Sequence, residues 1–346
     1  MLFDRFQLPA FADRLLILVR NAGLKFAGLM RRRRDFMCES WGAEYPDKVF
    51  LVVRRSDNCG LSSYVYTALA GIKYAYDHDM VPVIDMQTGP NIYLRPEEVG
   101  KVNAWEFFFE QPAGFSLKDM AHACNVVISK DIAWPDSPCP YVGFLKDENP
   151  RLAYWRDMVR RYVRVTPEFV RRFELRAKEV LGEDMSEVLG VFLRGTDYVR
   201  LRPYLHTIQP DPTVVINDVS EALSRSPAAK ILVVSEDFEI WTKFKNAFGE
   251  QAVTFNRFFL SYSHGFIGDR VLHEKTEFDR RASGDDYLCA ILALASCTRS
   301  FESIAGGSGL AGLFSKKGRD PKYYKLGLYG RFGVVPMPQG DADDIR

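Results

Sequence analysis

The sequence has almost no net charge: 46 Lys and Arg against 45 Asp and Glu over 346 residues leave +1. That balance argues against a nucleic-acid binder working through global positive charge. Histidine is scarce, with five residues and no HExxH or similar spacing, and the six cysteines (Cys38, Cys59, Cys124, Cys139, Cys289, Cys297) form no CxxC pair. Neither a zinc site nor a disulfide scaffold is expected, and a reducing, cytoplasmic compartment follows by default. There is no Walker A, no GxSxG and no DxD in a metal-nucleotide context, since Asp77-His78-Asp79 falls at a helix end. No metal or other cofactor is expected. Long apolar runs are also missing near the N-terminus, where the longest, Leu15–Val19, cannot span a bilayer. Arg20 and Lys25 break any signal-peptide core, and no convincing A-x-A site follows.

What is present is apolar and aromatic, at 47% and 13% of residues, enough for a packed core. The length suggests two domains. Residues 1–34 stand apart, with eight basic residues and two acidic ones giving +6. Leu15, Leu16, Val19, Leu24, Phe26 and Leu29 add apolar anchors, so residues 1–40 read as a basic amphipathic segment that could lie on an anionic membrane surface.

The rest of the chain alternates strands and helices. Lys48–Val53 (KVFLVV) is a short β-branched strand, Asp57–Gly60 a turn, Leu61–Asp77 a helix and Val81–Asp85 a strand. This βαβ opening implies a parallel sheet. Val126–Ile128 is a further strand, and 151–181 holds two helices, the second starting at Pro167 behind Thr166 as its cap. Strands at 188–193, 230–235, 253–255, 299–303 and 323–328 then alternate with helices at 212–224, 237–248, 285–295 and 308–315. The fold class expected is α/β, as two Rossmann-like doubly wound domains, 45–182 and 183–346, with a cleft between them. Open α/β sheets bind ligands beyond the carboxyl ends of their strands, so the chemistry is expected on the loops after Val53, Leu193, Ser235 and Ser303.

Four of those loops carry suitable residues. In Val191–Tyr198 (VFLRGTDY) a strand runs into Arg194, Gly195, Thr196 and Asp197. Arginine is the preferred side chain for bidentate phosphate recognition, Gly195 allows close backbone approach, and Asp197 can orient the guanidinium. Gly307-Ser308-Gly309-Leu310-Ala311-Gly312 matches GxGxxG at a helix start. No acid closes a second strand about 20 residues on, as a dinucleotide domain requires; the motif reads instead as a pyrophosphate cradle of free amides. Ser235-Glu236-Asp237, after strand KILVV, puts carboxylates at a strand end, where Ser235 and Asp237 could bind a base or ribose, or Ser235 could cap the next helix. Arg54, Arg55, Asn58 and Gly60 could bind an acceptor or reach the donor phosphates. His206, Glu106 and Glu110 are candidate general bases.

With these residues in hand, the chain resembles the α1,6- and protein-O-fucosyltransferase superfamily from about Phe50 to Gly330. FLVVRRSDNCGLSSYVYTALAGIKYAYDHDMVPVID, NAWEFFFEQP, VFLRGTDY, KILVVSEDFEIW and YLCAILALASCTRSFESIAGGSGLAGLF resemble its segments, in order. The family's first-motif histidine is Phe192 or Leu193 here, and its second arginine is Gly195. The resemblance implies a GT-B fold and a metal-independent, inverting glycosyltransferase that takes its sugar from GDP-fucose in the C-terminal domain. It implies that Arg194 grips the β-phosphate, with Asp237 and Ser308 near the base and pyrophosphate. The expected partners are a nucleotide-sugar donor and a glycan or lipid-linked acceptor in surface polysaccharide or lipopolysaccharide assembly, with no nucleic acid. The alternative is a non-catalytic nucleotide-sugar-binding protein on the same fold.

Overall fold

A computed structural model describes residues 36–55, 59–129, 143–259, 279–316 and 318–337. The basic segment 1–34, Asn58 and Cys139 lie outside these residues. The first sheet contains β1 (Phe36–Glu39), β2 (Phe50–Arg54), β3 (Val81–Asp85) and β4 (Val126–Ser129) in the order β1-β4-β2-β3. β2 runs parallel to β3 and β4. β1 pairs antiparallel with β4, an edge strand that the sequence reading did not anticipate. Helix α1 (Leu61–Asp77) joins β2 to β3, as its apolar spacing predicts. Two connecting helices follow, α2 (Pro150–Tyr162) and α3 (Pro167–Leu181). Thr166 Oγ1 accepts the Phe169 N–H at the start of α3, and Gly182, at φ +94°, ends it where few other residues could.

The second sheet is wholly parallel. It contains β5 (Val188–Phe192), β6 (Lys230–Val234), β7 (Ala252–Val253), β8 (Arg299–Ser303) and β9 (Asp320–Tyr324) in the order β7-β6-β5-β8-β9. Its helices are α4 (Thr196–Leu201), α5 (Pro212–Arg225), α6 (Phe238–Phe248), α7 (Arg280–Ser296) and α8 (Gly306–Phe314). The last strand differs from expectation. β9 closes at Tyr324, and Leu328 belongs to a separate antiparallel hairpin of β10 (Leu328–Tyr329) and β11 (Val334–Val335), because Gly327 turns the chain at φ +99°.

Strand alternation sorts the core. Leu189, Val191, Leu193, Ile231 and Val233 face α5 and α6, while Val188, Phe192, Leu232 and Val234 face the opposite layer with α7 and α8. That second cluster is continuous with Leu51 and Val53 of the first sheet through α1, so the two halves share one apolar core. The aromatic stretch 104–109 sits within it, with Trp105, Phe108 and Phe109 fully buried. The other face of the first sheet is covered by irregular chain around Met120 and Ala123.

The strand order reverses at β5: β6 and β7 extend one way, β8 and β9 the other. A crevice opens at such a point because the chains leaving the two neighbouring strands go to opposite faces. Here those chains are 193–196, after β5, and 304–306, after β8.

Candidate active site

Residues from both halves meet at that crevice. The Arg194 N–H donates to Ser303 Oγ at 3.3 Å, tying the loop after β5 to the end of β8. Tyr66 of α1 donates its hydroxyl to the Gly306 carbonyl at 2.8 Å. Ser62, also on α1, lies so close that a Cβ on Gly306 would stand 2.9 Å from its Oγ. The carboxyl ends of the two sheets therefore face each other across the start of α8.

Arg194 is held by opposite charge on two sides. Its Nη2 donates to Asp197 Oδ1 at 2.8 Å, its Nη1 pairs with Glu236 Oε2 at 3.0 Å, and the guanidinium lies over the Tyr198 ring at 4.8 Å. Burial alone would favour the neutral form, but Glu236 and Asp197 outweigh it and hold the group protonated well above its ordinary range. Tyr287 of α7 reaches the same place. Its phenol is hydrogen-bonded to Ser62, and burial raises its pKa against the pull of Ser62 and Arg194.

Glu236 does more than pair with Arg194. Its Oε1 accepts the Gly195 N–H at 3.1 Å and the Thr196 hydroxyl at 3.0 Å. A guanidinium, an amide and a hydroxyl thus converge on one carboxylate, an arrangement that suits any small oxyanion. Asp237 is spent on structure. Its Oδ1 accepts from Glu239 and Ile240 N–H to cap α6, and its Oδ2 accepts the Thr196 N–H at 2.9 Å. Thr196 sits at φ +40°, rare for a β-branched residue, and these bonds to Glu236 and Asp237 hold it there.

Gly195 is required by contact. A Cβ there would stand 2.3 Å from Asp237 Oδ2 and 2.5 Å from Asp237 Cβ. Gly195→Ala is expected to push Asp237 off both its helix cap and Thr196, destabilising the fold by about 1–3 kcal/mol. Chemical denaturation of the two proteins checks this; an unchanged midpoint and slope would show that the loop yields freely.

The other predicted residues fall into two groups. Near Arg194, His206 packs edge-on against Tyr198 at 5.2 Å between ring centroids, so one aromatic ring separates it from the guanidinium. Ser235 is buried and accepts the Asp237 N–H; the cap of α6 is Asp237 itself, one correction to the sequence reading. Ser308 is fully buried and donates to the Ser303 and Ala305 carbonyls while accepting the Ala305 N–H. Its side chain shapes the turn, so any part this loop has in binding an anion falls to the first-turn amides of α8. The motif glycines also have packing reasons. A Cβ on Gly307 would meet Phe192 and Tyr287, and those on Gly143 and Gly312 would strike the backbones of Gly309 and Gly143, respectively.

The second group is engaged within the first half. Arg54 donates to Asp85 Oδ2 at 2.8 Å, and Arg55 to Thr67 Oγ1 at 2.9 Å. Gly60 is exposed and precedes the first turn of α1. Glu106 accepts from Asn103 and Gln111, and Glu110 pairs with Arg164. None of these contacts joins Arg194. The sequence reading missed Tyr198, Tyr287, Ser303, Ser62 and Tyr66, and placed Glu236 only within a strand-end acidic pair. Glu236 had a local signal, its place beside Asp237 after an apolar strand; Tyr287 lies in a helix whose spacing marks only a buried face.

Among the described residues no group of three His, Cys, Asp or Glu is arranged to hold a metal ion, and no helix is long and apolar enough to cross a membrane. Burial pushes the Cys289 and Cys297 thiols up to about 12.

In class, the chain is similar to solved fucosyltransferases. No protein-family model matches it, and no curated protein matches it in sequence. The NodZ α1,6-fucosyltransferase co-crystallised with GDP is 14% identical, over 78% of this chain and 93% of that one, at a TM-score of 0.43. A mutant of Arabidopsis thaliana FUT1 with GDP is 10% identical, over 85% and 73% of the two chains, at 0.45. POFUT1 with GDP is 9% identical, over 82% and 100%, at 0.47. At these identities and scores the likeness fixes no residue role in this chain.

Proposed function

We propose that the protein is a glycosyltransferase of the GT-B kind that takes a sugar from a nucleotide-sugar donor bound where β5 and β8 diverge. The observation that supports this most is that Arg194, on the chain leaving β5, is tied by its backbone N–H to Ser303 at the end of β8, where the chain turns into α8, at the switch point of a parallel sheet. Arg194 and the α8 amides neutralise the diphosphate as the bond from the anomeric carbon to the phosphate oxygen breaks. Catalysis is then mostly positioning and electrostatic stabilisation. His206 or a carboxylate takes the acceptor's hydroxyl proton. The choice of GDP-fucose, the inverting course and independence of metal rest on the resemblance of the sequence motifs. The acceptor is a glycan or a lipid-linked sugar of surface polysaccharide or lipopolysaccharide assembly.

One observation favours a second reading. Glu236 already fills the groups that a phosphate would use, so a diphosphate must displace it or approach the guanidinium from its open edge. A protein that holds the donor while Glu236 keeps those groups, so that the leaving diphosphate is never neutralised, would be a non-catalytic nucleotide-sugar-binding member of the same fold. A thermal-shift panel of GDP-, UDP-, CMP- and dTDP-sugars, followed by hydrolysis and transfer assays with the donor that binds, separates the two. A cognate donor at 100 times its Kd adds about 2.7 kcal/mol to the stability of the fold. Preference for a base other than guanine would reject the fucosyl assignment and keep the transferase; no shift with any donor would reject both donor-based readings. A donor that binds but is neither hydrolysed nor transferred would leave the non-catalytic one.

A further inference from the structure

The loop region beside Arg194 has an outer surface that the transferase reading does not use. After α4 the chain pairs by backbone with the C-terminal hairpin: Leu205 N donates to Tyr329 O and Tyr329 N to His206 O, both at 2.8 Å, and Ile208 N donates to Gly327 O at 2.9 Å. Arg331 at the hairpin tip lies over the Tyr204 ring at 5.1 Å. Residues 198–210 and 325–337 thus form one ribbon continuous with α4.

The composition of this ribbon is one-sided. It contains Arg200, Arg202, Lys325 and Arg331, all exposed, and no Asp or Glu. It also exposes large apolar side chains: Val199 at 43%, Leu201 at 37%, Leu326 at 47%, Phe332 at 60% and Val334 at 56%. These are five of the twelve exposed large hydrophobic residues among those described, gathered in two stretches of 13 residues each. Strand alternation explains the sidedness, since Leu328 and Val335 pair on the buried face and Tyr329 and Val334 on the outer one.

Exposed apolar groups interspersed with arginine and lysine, with no carboxylate, match the headgroup region of an anionic bilayer. The aliphatic groups enter the acyl boundary while the cations meet lipid phosphates. A nucleic acid would use the cations but leave Val199, Leu201, Leu326 and Val334 without apolar partners. We infer that this ribbon is a docking surface for an anionic membrane. It is distinct from the basic segment 1–34 and does not depend on the transferase reading. Its position is informative: Tyr198, in the same short helix as the exposed Val199 and Leu201, lies against Arg194, so docking brings the candidate site near the lipid surface.

Co-sedimentation of the full-length protein with phosphatidylcholine vesicles, with and without phosphatidylglycerol, tests this. The protein is expected to partition onto the anionic vesicles and to be released by high salt. R200Q/R202Q/R331Q and F332S/V334S should each lower the partition coefficient by about tenfold or more. F332W/V334L should retain it, at unchanged thermal midpoints for all three variants. Partition onto anionic vesicles equal to wild type in the first two variants, which would leave all binding to residues 1–34, would overturn the inference. So would absence of anionic-vesicle binding, or loss of mixed-sequence RNA binding in those variants while vesicle binding is unchanged.

Discussion

Arg194→Ala is expected to raise the barrier for sugar transfer from a cognate donor by about 2–4 kcal/mol, roughly a 30- to 1,000-fold loss of turnover. Arg194 puts a strong cation at the β5/β8 crevice, and charge on a departing diphosphate grows as the sugar leaves. The loss should therefore appear mainly in kcat. Removing the cation also leaves Asp197 and Glu236 facing each other across the gap, so donor affinity should fall too. Arg194→Lys separates the two effects. An ammonium keeps the charge but cannot serve both carboxylates and a phosphate in one plane, so it should recover stability more fully than turnover. Steady-state kinetics with the donor selected by thermal shift supply the measurement. Turnover equal to wild type in R194A would remove this residue from the mechanism.

Arg319→Ala is expected to have the largest effect on stability. Glu302, in β8, is fully buried, as is most of Arg319, and the two are paired. Ser300 donates to Glu302 Oε1 at 2.6 Å, and Arg319 also reaches the Cys297 carbonyl. Glu302 Oε2 has no hydrogen-bond partner, so the arginine is the principal compensation for this buried charge. Removing one partner of such a pair costs about 3–5 kcal/mol. The pH dependence has a definite sign. Burial raises the Glu302 pKa in the folded protein, with Arg319 and Ser300 opposing, and without Arg319 it rises further. The folded state then binds a proton that the unfolded state releases, so the variant loses stability as pH climbs from the ordinary Glu value of about 4.3 through the raised one. Its deficit should be widest near neutrality and shrink toward pH 4–5. E302Q/R319A should recover part of it. Denaturant midpoints across that range check the claim, and a pH-independent deficit would show that packing loss dominates.

Much of the architecture was legible in local sequence. α1, β3 and β8 match their expected bounds because each combines a clear apolar pattern with a turn signal at its ends. The edge strand β1 and the hairpin after Gly327 were not legible. Four- and two-residue strands carry too little pattern, and their pairing is decided by what lies beside them. For the site, the loop VFLRGTDY and the strand-end acids stood out, since polar residues directly after buried strands are conspicuous. Their partners did not.

The sequence by itself determined the alternation of strands and helices, the parallel sheets and the placing of Arg194, Glu236 and Asp237 at strand ends. These follow from residue-by-residue periodicity and turn chemistry. Only the tertiary structure decided that Glu236 occupies the anion-binding groups around Gly195 and that Ser308 is turned inward. It also decided that Ser62, Tyr66 and Tyr287 close over the start of α8, and that exposed apolar and cationic residues far apart in the chain, such as Arg202 and Lys325, belong to one ribbon. Contacts of that kind depend on which elements pack together and in what register, information spread over the whole chain and absent from any one segment of it.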